Sequence, residues 1–233
     1  MSIQPRFIAA ALVIAAALAL LWISLLQGCS ETSPRTASVN EPRPLFDGNT
    51  LSGWQGLVGN PYSRAEMSSE PLLEAQAQAD LHMRKHWSIE DATLIFDGHG
   101  SHLCTIEDFG DFVLELEWMI EPGGDSGIYL RGSPQVQIWD IEQHPEGSGG
   151  LYNNQQGASL PLVAADHPPG QWNHFRIEMR GEQVTVDLNG QRVVEAVPLE
   201  NYWNRELPLP DRGPIELQSH GSRLQFRNLT IQP

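Results

Sequence analysis

Basic residues are scarce in this chain. Its 233 residues include 14 lysines and arginines against 29 aspartates and glutamates, which gives a formal net charge of −15. A surface this acidic repels a phosphate backbone, so the composition argues against nucleic acid as a partner. A neutral or cationic ligand fits the charge better, although acidity is also a common means of staying in solution.

Cysteine is nearly absent as well, with two residues in the sequence. The first, Cys29, follows a short basic start that ends at Arg6 and an apolar run over residues 7–26. This order is typical of a secretory signal peptide, residues 1–28, that ends at a lipobox and leaves Cys29 as the lipidated first residue. An uncleaved transmembrane anchor is the alternative, because about 20 apolar residues can span a bilayer. Either arrangement places the folded part outside the cytoplasm. An aspartate directly after the cysteine would suggest retention at the inner membrane, and because this chain has Ser30 there, we expect anchoring at the outer membrane.

The second cysteine, Cys104, has no partner for an intrachain disulfide once Cys29 carries a lipid. No base partner is evident for it, so we interpret it as a small buried apolar residue. Residues 29–44 are rich in Ser, Thr, Pro and charge, and predict a tether. The folded domain is expected over residues 45–233.

Several motifs of enzyme chemistry are missing. The sequence has no G-x-S-x-G elbow, no H-E-x-x-H zinc motif, no P-loop and no dinucleotide fingerprint. The Glu-x-Asp-x-Glu strand of laminarinase-type glycosidases is absent too, which removes the usual two-carboxylate mechanism. The eight histidines lack clear ligand spacing apart from His82 and His86, so no metal centre is predicted. Asp- and Asn-rich loops leave a calcium ion open as a cofactor.

What the sequence does contain is alternation of apolar and polar residues. This period of two predicts strands in five segments: 112–118, 175–179, 183–188, 191–194 and 224–231. Asn189 and Gly190 separate two of these runs and are a strong hairpin signal. Short strands joined by Gly- and Pro-rich turns predict an all-β fold, a two-sheet antiparallel jelly-roll sandwich. A helix capped by Ser69 and running towards Lys85 predicts a short helical insertion.

Polar residues enter the strands in the middle of the chain, over residues 127–131 and 135–140. If these strands are neighbours, alternation places polar residues of both on one patch with two carboxylates of segment 112–118: Tyr129, Arg131, Gln135, Gln137, Trp139, Glu115 and Glu117. Amides, a planar cation and aromatic rings are the groups that a hydroxyl-rich sugar ring requires. The alternative is an ordinary polar sheet face turned to solvent.

Six segments, in order along the chain, resemble the 3-keto-disaccharide hydrolase family: LFDGNTLSGW (45–54), DSGIYLR (125–131), VQIWD (136–140), WN (172–173), LNG (188–190) and FRNL (226–229). The resemblance implies a concanavalin-like jelly roll that acts on glycosides oxidised at the third carbon of the sugar, and so a carbohydrate as the substrate. Many members have a glutamate where this chain has Gln135, and an amide cannot serve as a general base.

A 3-keto group acidifies the hydrogen on C2, so the resemblance implies proton abstraction, expulsion of the C1 oxygen and addition of water. We expect Arg131 to stabilise the ketone or enolate, and Gln135 and Gln137 to position hydroxyls. The remaining candidates are the base, Asp140 or Glu117, the acid, His220, and the stacking ring, Trp139 or Trp172. Two alternatives stay open. A non-catalytic glycan-binding module would keep its affinity after Asp140→Asn or Glu117→Gln, whereas a protein-interaction domain would expose an aromatic patch without a cleft.

Overall fold

The computed structural model describes residues 41–233, which fall in one compact unit, residues 39–233. The predicted signal peptide, the lipidation of Cys29 and most of the tether lie outside the described residues and stay predictions. Of the described helices, none combines the length and the apolar composition that crossing a bilayer requires.

Within residues 41–233 the chain forms two helices and thirteen strands. The helices are α1 (Pro61–Glu66) and α2 (Ser69–His86). The strands are β1 (Arg43–Pro44), β2 (Trp54–Gly56), β3 (Trp87–Glu90), β4 (Thr93–Phe96), β5 (Leu103–Thr105), β6 (Phe112–Ile120), β7 (Asp125–Leu130), β8 (Ser133–Trp139), β9 (Asn173–Arg180), β10 (Gln183–Leu188), β11 (Gln191–Pro198), β12 (Glu216–Leu217) and β13 (Leu224–Gln232).

The strands form two antiparallel sheets, which confirms the predicted two-sheet sandwich. The large sheet has eight strands in the order β11-β10-β9-β6-β13-β4-β3, with β1 also paired to β13. The small sheet has five, in the order β2-β5-β12-β7-β8. All five predicted strand segments lie in the large sheet, and the Asn189–Gly190 turn joins β10 to β11 as expected.

The hydrophobic core fills the space between the two sheets. Alternate residues of β6 supply one side of it, among them Leu114, Leu116 and Trp118, and all of these are buried. Ile128 of β7 and Ile138 of β8 belong to the same core cluster. Because side chains alternate across a strand, the neighbours of these two residues face away from the core, on the outer face of the small sheet.

The helical insertion packs against β2, which is an edge strand of the small sheet. The Gly56 N–H donates to Asp80 Oδ1 at 2.9 Å, and Gln76 Nε2 donates to the Gly56 carbonyl at 2.8 Å, which fastens α2 to β2. A side chain at Gly56 would meet the Ala79 carbonyl oxygen at 2.3 Å, so only glycine permits this approach.

The helices differ from the sequence prediction in two respects. Ser69 is the first residue of α2 and Ser68 is its N-cap, without a side-chain capping bond. Helix α1 was not predicted, although Asn60 caps it by accepting the N–H groups of Tyr62 and Ser63. Just before the predicted domain start at residue 45, β1 pairs with β13.

Candidate functional site

A cavity of about 430 Å³ opens on the outer face of the small sheet, above β7, β8 and β12. We call it the small-sheet cavity. Its floor consists of polar side chains from the three strands and the turn that follows β12: Asp125, Tyr129, Gln135, Gln137, Gln218 and His220. Its walls are aromatic rings: Trp139, His144, Tyr152, Tyr202 and Trp203. A volume of this size lies within the ordinary range of small-molecule sites.

The register of β7 and β8 places the residues of the cavity floor side by side. Strands β7 and β8 pair antiparallel with Asp125 opposite Trp139 and Gly127 opposite Gln137, so these positions share one face. Gly127 leaves the room that the amides need, since a Cβ there would meet Gln135 Cδ at 2.9 Å and Gln218 Oε1 at 3.1 Å. Tyr129, Gln135, Gln137 and Trp139 were predicted to lie on one patch, and in the structure all four line the cavity.

The amide groups on the floor hold one another in place. Gln137 Nε2 donates to Asp125 Oδ1 at 2.8 Å and to the Ser126 carbonyl at 2.9 Å. Gln135 Nε2 donates in turn to Gln137 Oε1. Gln218 Nε2 is 3.4 Å from the Tyr129 hydroxyl, while its Oε1 is buried without a hydrogen-bond partner among the described residues. Fixed amides and one unsatisfied acceptor suit a ligand that carries hydroxyl groups.

An imidazole and a carboxylate meet at one end of the floor. His220 Nδ1 lies 3.5 Å from Asp125 Oδ2, and the His220 side chain is 56% exposed. A carboxylate beside one ring nitrogen fixes the tautomer and leaves the other nitrogen free to exchange a proton. His220, predicted as an acid, thus lines the cavity, and Asp125, which was not among the predicted site residues, is its partner.

Aromatic rings enclose the floor on both sides. On one side His144 stacks on Trp139, with ring centroids 4.4 Å apart and planes 17° apart, and Tyr152 lies edge-on to Trp139 at 5.1 Å. On the other side Tyr202 and Trp203 contact each other at 4.9 Å, and Trp203 Nε1 donates to the Gly132 carbonyl at 2.7 Å. Amphipathic rings at both walls suit the flat apolar faces of a sugar.

Arg131 does not belong to this site, contrary to the sequence prediction. The register of β7 and β8 shifts between Ile128 and Leu130, and Arg131 has a φ of 53°, so the alternation that linked it to Tyr129 ends before it. Its guanidinium is buried and donates to the carbonyls of Gly110 and Pro210 and to Asp111. These hydrogen bonds connect residues 110–111 to residue 210, so Arg131 has a structural role.

Glu117 and Trp172 lie elsewhere too. Glu117 is in β6 and Trp172 directly precedes β9, and both strands belong to the large sheet. Glu117 accepts hydrogen bonds from Arg227 at 2.7 Å and Asn228 at 2.7 Å, and these partners hold its pKa below the usual value against the opposing effect of burial. The Arg227 guanidinium lies 4.0 Å from the centroid of the Trp172 ring. Glu115, also expected in the patch, is on the same strand as Glu117.

Asp140 directly follows β8 and is not among the residues that line the cavity. It is 2% exposed, and its two carboxylate oxygens accept the N–H groups of Gly123 at 2.7 Å and Glu142 at 2.8 Å. Both oxygens are committed to the turn that follows the strand. This leaves no carboxylate oxygen for proton transfer in the cavity.

Sequence reasoning missed Glu216, which has no motif around it. It sits in β12 between Cys104 of β5 and Tyr129 of β7, and it is 1% exposed. Burial raises the pKa of its carboxyl to about 7, with a small opposing effect of the Arg64 charge. Burial likewise raises the pKa of the Cys104 thiol to about 12, which agrees with the buried apolar role predicted for it.

The described residues contain no group of three or more His, Cys, Asp or Glu side chains arranged to hold a metal ion. His82 and His86 do meet on α2, with ring centroids 4.8 Å apart. The calcium ion that the sequence left open has no such cluster in residues 41–233.

Comparison with known proteins agrees with this architecture. Residues 41–232 match the family model of the 3-keto-alpha-glucoside-1,2-lyase-like domain. A 3-keto-disaccharide hydrolase of Bacteroides thetaiotaomicron is 26% identical to the chain, over 81% of this chain and 77% of that protein.

Solved structures from Parabacteroides distasonis, assigned to the glycosyl hydrolases, share the fold. One is 26% identical with a TM-score of 0.60, and the match covers 82% of this chain and 83% of that one. A second is 21% identical with a TM-score of 0.59, over 82% of this chain and 93% of that one. At that identity the second match supports the fold alone.

Proposed function

The chain belongs to the family of 3-keto-alpha-glucoside-1,2-lyase-like domains, and we propose that it cleaves the glycosidic bond of 3-keto-glycosides in the small-sheet cavity. The observation that carries this proposal is the pairing of His220 with Asp125, 3.5 Å apart, at one end of a floor of neutral amides. An acid–base pair beside hydroxyl-binding groups suits chemistry that begins with removal of a proton from a sugar carbon.

The reaction requires no carboxylate nucleophile. The ketone at C3 acidifies the C2–H bond, a base takes that proton, and the electron pair forms an enolate. As the enolate collapses, the bond from C1 to the glycosidic oxygen breaks, and that oxygen receives a proton. Water then adds across the new C1–C2 double bond, so the overall change is hydrolysis. This sequence agrees with the absence of the two-carboxylate strand motif.

In this proposal His220 moves the protons. The Asp125 carboxylate favours a proton on Nδ1, which leaves Nε2 as the base for the C2 proton. The same nitrogen, once protonated, is the acid that supplies the departing oxygen. Asp140 and Glu117 are not proposed again as bases, since their oxygens are bound to other groups.

In this proposal, neutral hydrogen-bond donors stabilise the negative charge that develops on the ketone oxygen. Arginine and lysine are absent from the described residues that line the cavity, so Arg131 cannot take this part. The Tyr129 hydroxyl is the donor that stands in the floor, and a hydrogen bond from a preorganised donor is strong where water is excluded. Gln135 and Gln137 then hold the hydroxyls of the sugar, which needs no carboxylate at position 135.

The test is a panel of 3-keto-glycosides beside their unoxidised parents, incubated with the full chain and followed by mass spectrometry. Only the keto forms should release sugar. His220→Gln should lower the rate by roughly 100-fold or more, the usual share of general acid–base catalysis. His82→Gln, an exposed histidine on α2, is the matched control and should retain the rate. Binding of the keto sugars without turnover would instead favour a glycan-binding module.

We further propose that the chain is exported and held at the outer membrane by a lipid on Cys29. The support is the order of a basic start, an apolar run and Leu26-Gln27-Gly28-Cys29. Mass spectrometry of the mature N-terminus should find a lipidated Cys29, and Cys29→Ser should release the protein from the membrane fraction. An uncleaved N-terminus in membranes would favour the transmembrane anchor.

A further inference from the structure

The turn that carries His220 is fastened on both sides of that residue. On one side, the Asp125 N–H donates to Ser222 Oγ at 3.2 Å, and this hydroxyl donates back to the Asp125 carbonyl at 3.2 Å. On the other side, Ser219 contacts the imidazole of His102, which directly precedes β5. The proposed reaction gives His102 no part, although it contacts the residue next to the proposed base.

Ser219 meets one nitrogen of His102 with two of its groups. The Ser219 N–H donates to His102 Nδ1 at 3.3 Å, and the Ser219 hydroxyl lies 3.0 Å from the same nitrogen. That hydroxyl also donates to the Gly100 carbonyl at 3.2 Å. Because a backbone N–H can only donate, Nδ1 must be the accepting nitrogen, and the ring proton of His102 is on Nε2.

The surroundings of His102 keep the ring neutral and fixed. Burial, and then the charge of His220, lower the pKa of His102 to about 4, so Nδ1 stays an acceptor near neutral pH. The His102 carbonyl accepts the Leu57 N–H at 3.2 Å, which holds its backbone. Its ring lies edge-on to Tyr129, with centroids 5.2 Å apart and planes 86° apart. His102 therefore offers Ser219 a rigid acceptor.

The side chain of His220 depends on this turn for its direction. It is 56% exposed, and its 3.5 Å contact with Asp125 is long for a hydrogen bond. Loss of the His102 acceptor would leave the Ser219 N–H unpaired and release the turn on that side. A displacement of a catalytic group by about 1 Å costs on the order of 100-fold in rate.

We propose that His102 is a positioning residue, whose Nδ1 holds the turn through Ser219 and so directs His220 towards Asp125 and the reacting carbon of the sugar. The inference rests on the proposed function, since the base and the sugar carbon belong to that reaction. His102 is not among the residues that line the small-sheet cavity, so it acts through the turn and not on the substrate.

Two substitutions separate the acceptor of His102 from its ring. His102→Phe keeps a ring against Tyr129 but has no acceptor, whereas His102→Asn offers an amide oxygen near the position of Nδ1. We expect His102→Phe to lower kcat on a 3-keto-glycoside by about 10- to 100-fold with KM nearly unchanged, and His102→Asn to retain most of the rate. His167→Phe is the matched control, because His167 Nδ1 also contacts a backbone group, the Trp172 carbonyl, and it should keep the wild-type kcat.

A double-mutant cycle shows whether the loss passes through His220. In a His220→Gln background, His102→Phe should lower kcat little further, because the base that it positions is already gone. A purely structural effect would add to the loss caused by His220→Gln. Additive losses, or a folded His102→Phe variant with the wild-type kcat, contradict the inference.

The direction of His220 can also be measured without any substrate. The full chain is labelled with ¹⁵N in its histidine rings, and His220→Gln identifies the signals of His220. Their shifts should report a proton on Nδ1 in the wild type and in His167→Phe. In His102→Phe the His220 ring should move towards the Nε2–H tautomer, and in His102→Asn it should return.

Ser219→Ala gives a second, milder variant in case His102→Phe fails to fold in a urea titration. It removes the hydroxyl contact and keeps the N–H contact, so its tautomer shift should be smaller and in the same direction. His220 signals that stay at their wild-type positions in the folded variants overturn the inference. A wild type that cleaves no keto-glycoside contradicts the proposed function, while the ¹⁵N spectra still decide whether His102 directs His220.

Discussion

Asp125 Oδ2 lies 3.5 Å from His220 Nδ1, and Asp125 Oδ1 accepts a hydrogen bond from Gln137 Nε2 at 2.8 Å. The Asp125 N–H also donates to Ser222 Oγ at 3.2 Å, so its backbone is tied to the turn that carries His220. One carboxylate therefore connects the amide floor to the exposed imidazole. This fixes the direction of the imidazole relative to the groups that would hold a sugar.

Replacing Asp125 by asparagine should separate positioning from binding. The amide keeps the size of the side chain but removes the charge that favours the proton on Nδ1 of His220, so we expect kcat to fall by about 100-fold while KM changes little. Steady-state kinetics on a 3-keto-glycoside measures both. Asp91→Asn is the control, since Asp91 lies in the β3–β4 turn with a φ of 48° that asparagine tolerates. Equal rates for the two variants would remove Asp125 from the mechanism.

Removing the Trp203 ring should weaken substrate binding rather than chemistry. Trp203 is 37% exposed and forms a wall of the cavity with Tyr202. We expect Trp203→Ala to raise KM by roughly tenfold with kcat nearly unchanged, on the scale of an aromatic contact. Trp172→Ala, which removes a ring on the large sheet, should leave KM at the wild-type value. A KM that responds to Trp172 and not to Trp203 would move the sugar to the other sheet.

Alternation and turn chemistry were enough to predict the fold. The residues of β6, β9 and β10 alternate because one face of the large sheet meets the core and the other meets water, so their pattern is easy to read. Strand β8 is buried along its whole length, yet its polar residues still alternate. Gln135, Gln137 and Trp139 could therefore be assigned to a common face from the sequence.

What the sequence could not provide is the pairing between distant strands. Segment 112–118 is close in sequence to β7, but the chain crosses to the other sheet between them, which separates Glu117 from the cavity. Glu216 belongs to a two-residue strand, too short to show any period. Arg131 was misplaced because a register shift and a positive φ are invisible in a pattern of alternate residues.

The assignment of Arg131 to a structural task predicts a change in stability. Arg131→Met removes hydrogen bonds to two backbone carbonyls and to Asp111, and bonds to a charged group contribute about 1.5–3 kcal/mol each. We expect the free energy of unfolding to drop by about 2–4 kcal/mol, measured by urea titration. Arg223→Met, at a partly exposed ion pair, should cost less than about 1 kcal/mol. The folded fraction of Arg131→Met should retain its kcat, and a specific loss of kcat would return Arg131 to the mechanism.

Cys104 should be inert in the folded protein. Its thiol is 3% exposed, and burial raises its pKa to about 12, so the reactive thiolate is absent near pH 8. We expect iodoacetamide to modify Cys104 only in denaturant, as measured by peptide mapping of the full chain. Modification of the native protein within minutes would show that β5 opens locally.

Glu216 should control how stability depends on pH. Burial raises its pKa to about 7 in the folded chain, above the value of about 4.5 for a glutamate in water, so the folded state keeps a proton that the unfolded state loses. Folding stability is then unaffected below about pH 4.5 and falls as the pH rises towards 7, by roughly 3 kcal/mol in all. Urea titrations from pH 4 to pH 8 should show this fall in the wild type and in Glu115→Gln. Glu216→Gln removes the ionisation and should flatten it, whereas an unchanged slope in that variant would mean that Glu216 is already ionised in the folded protein.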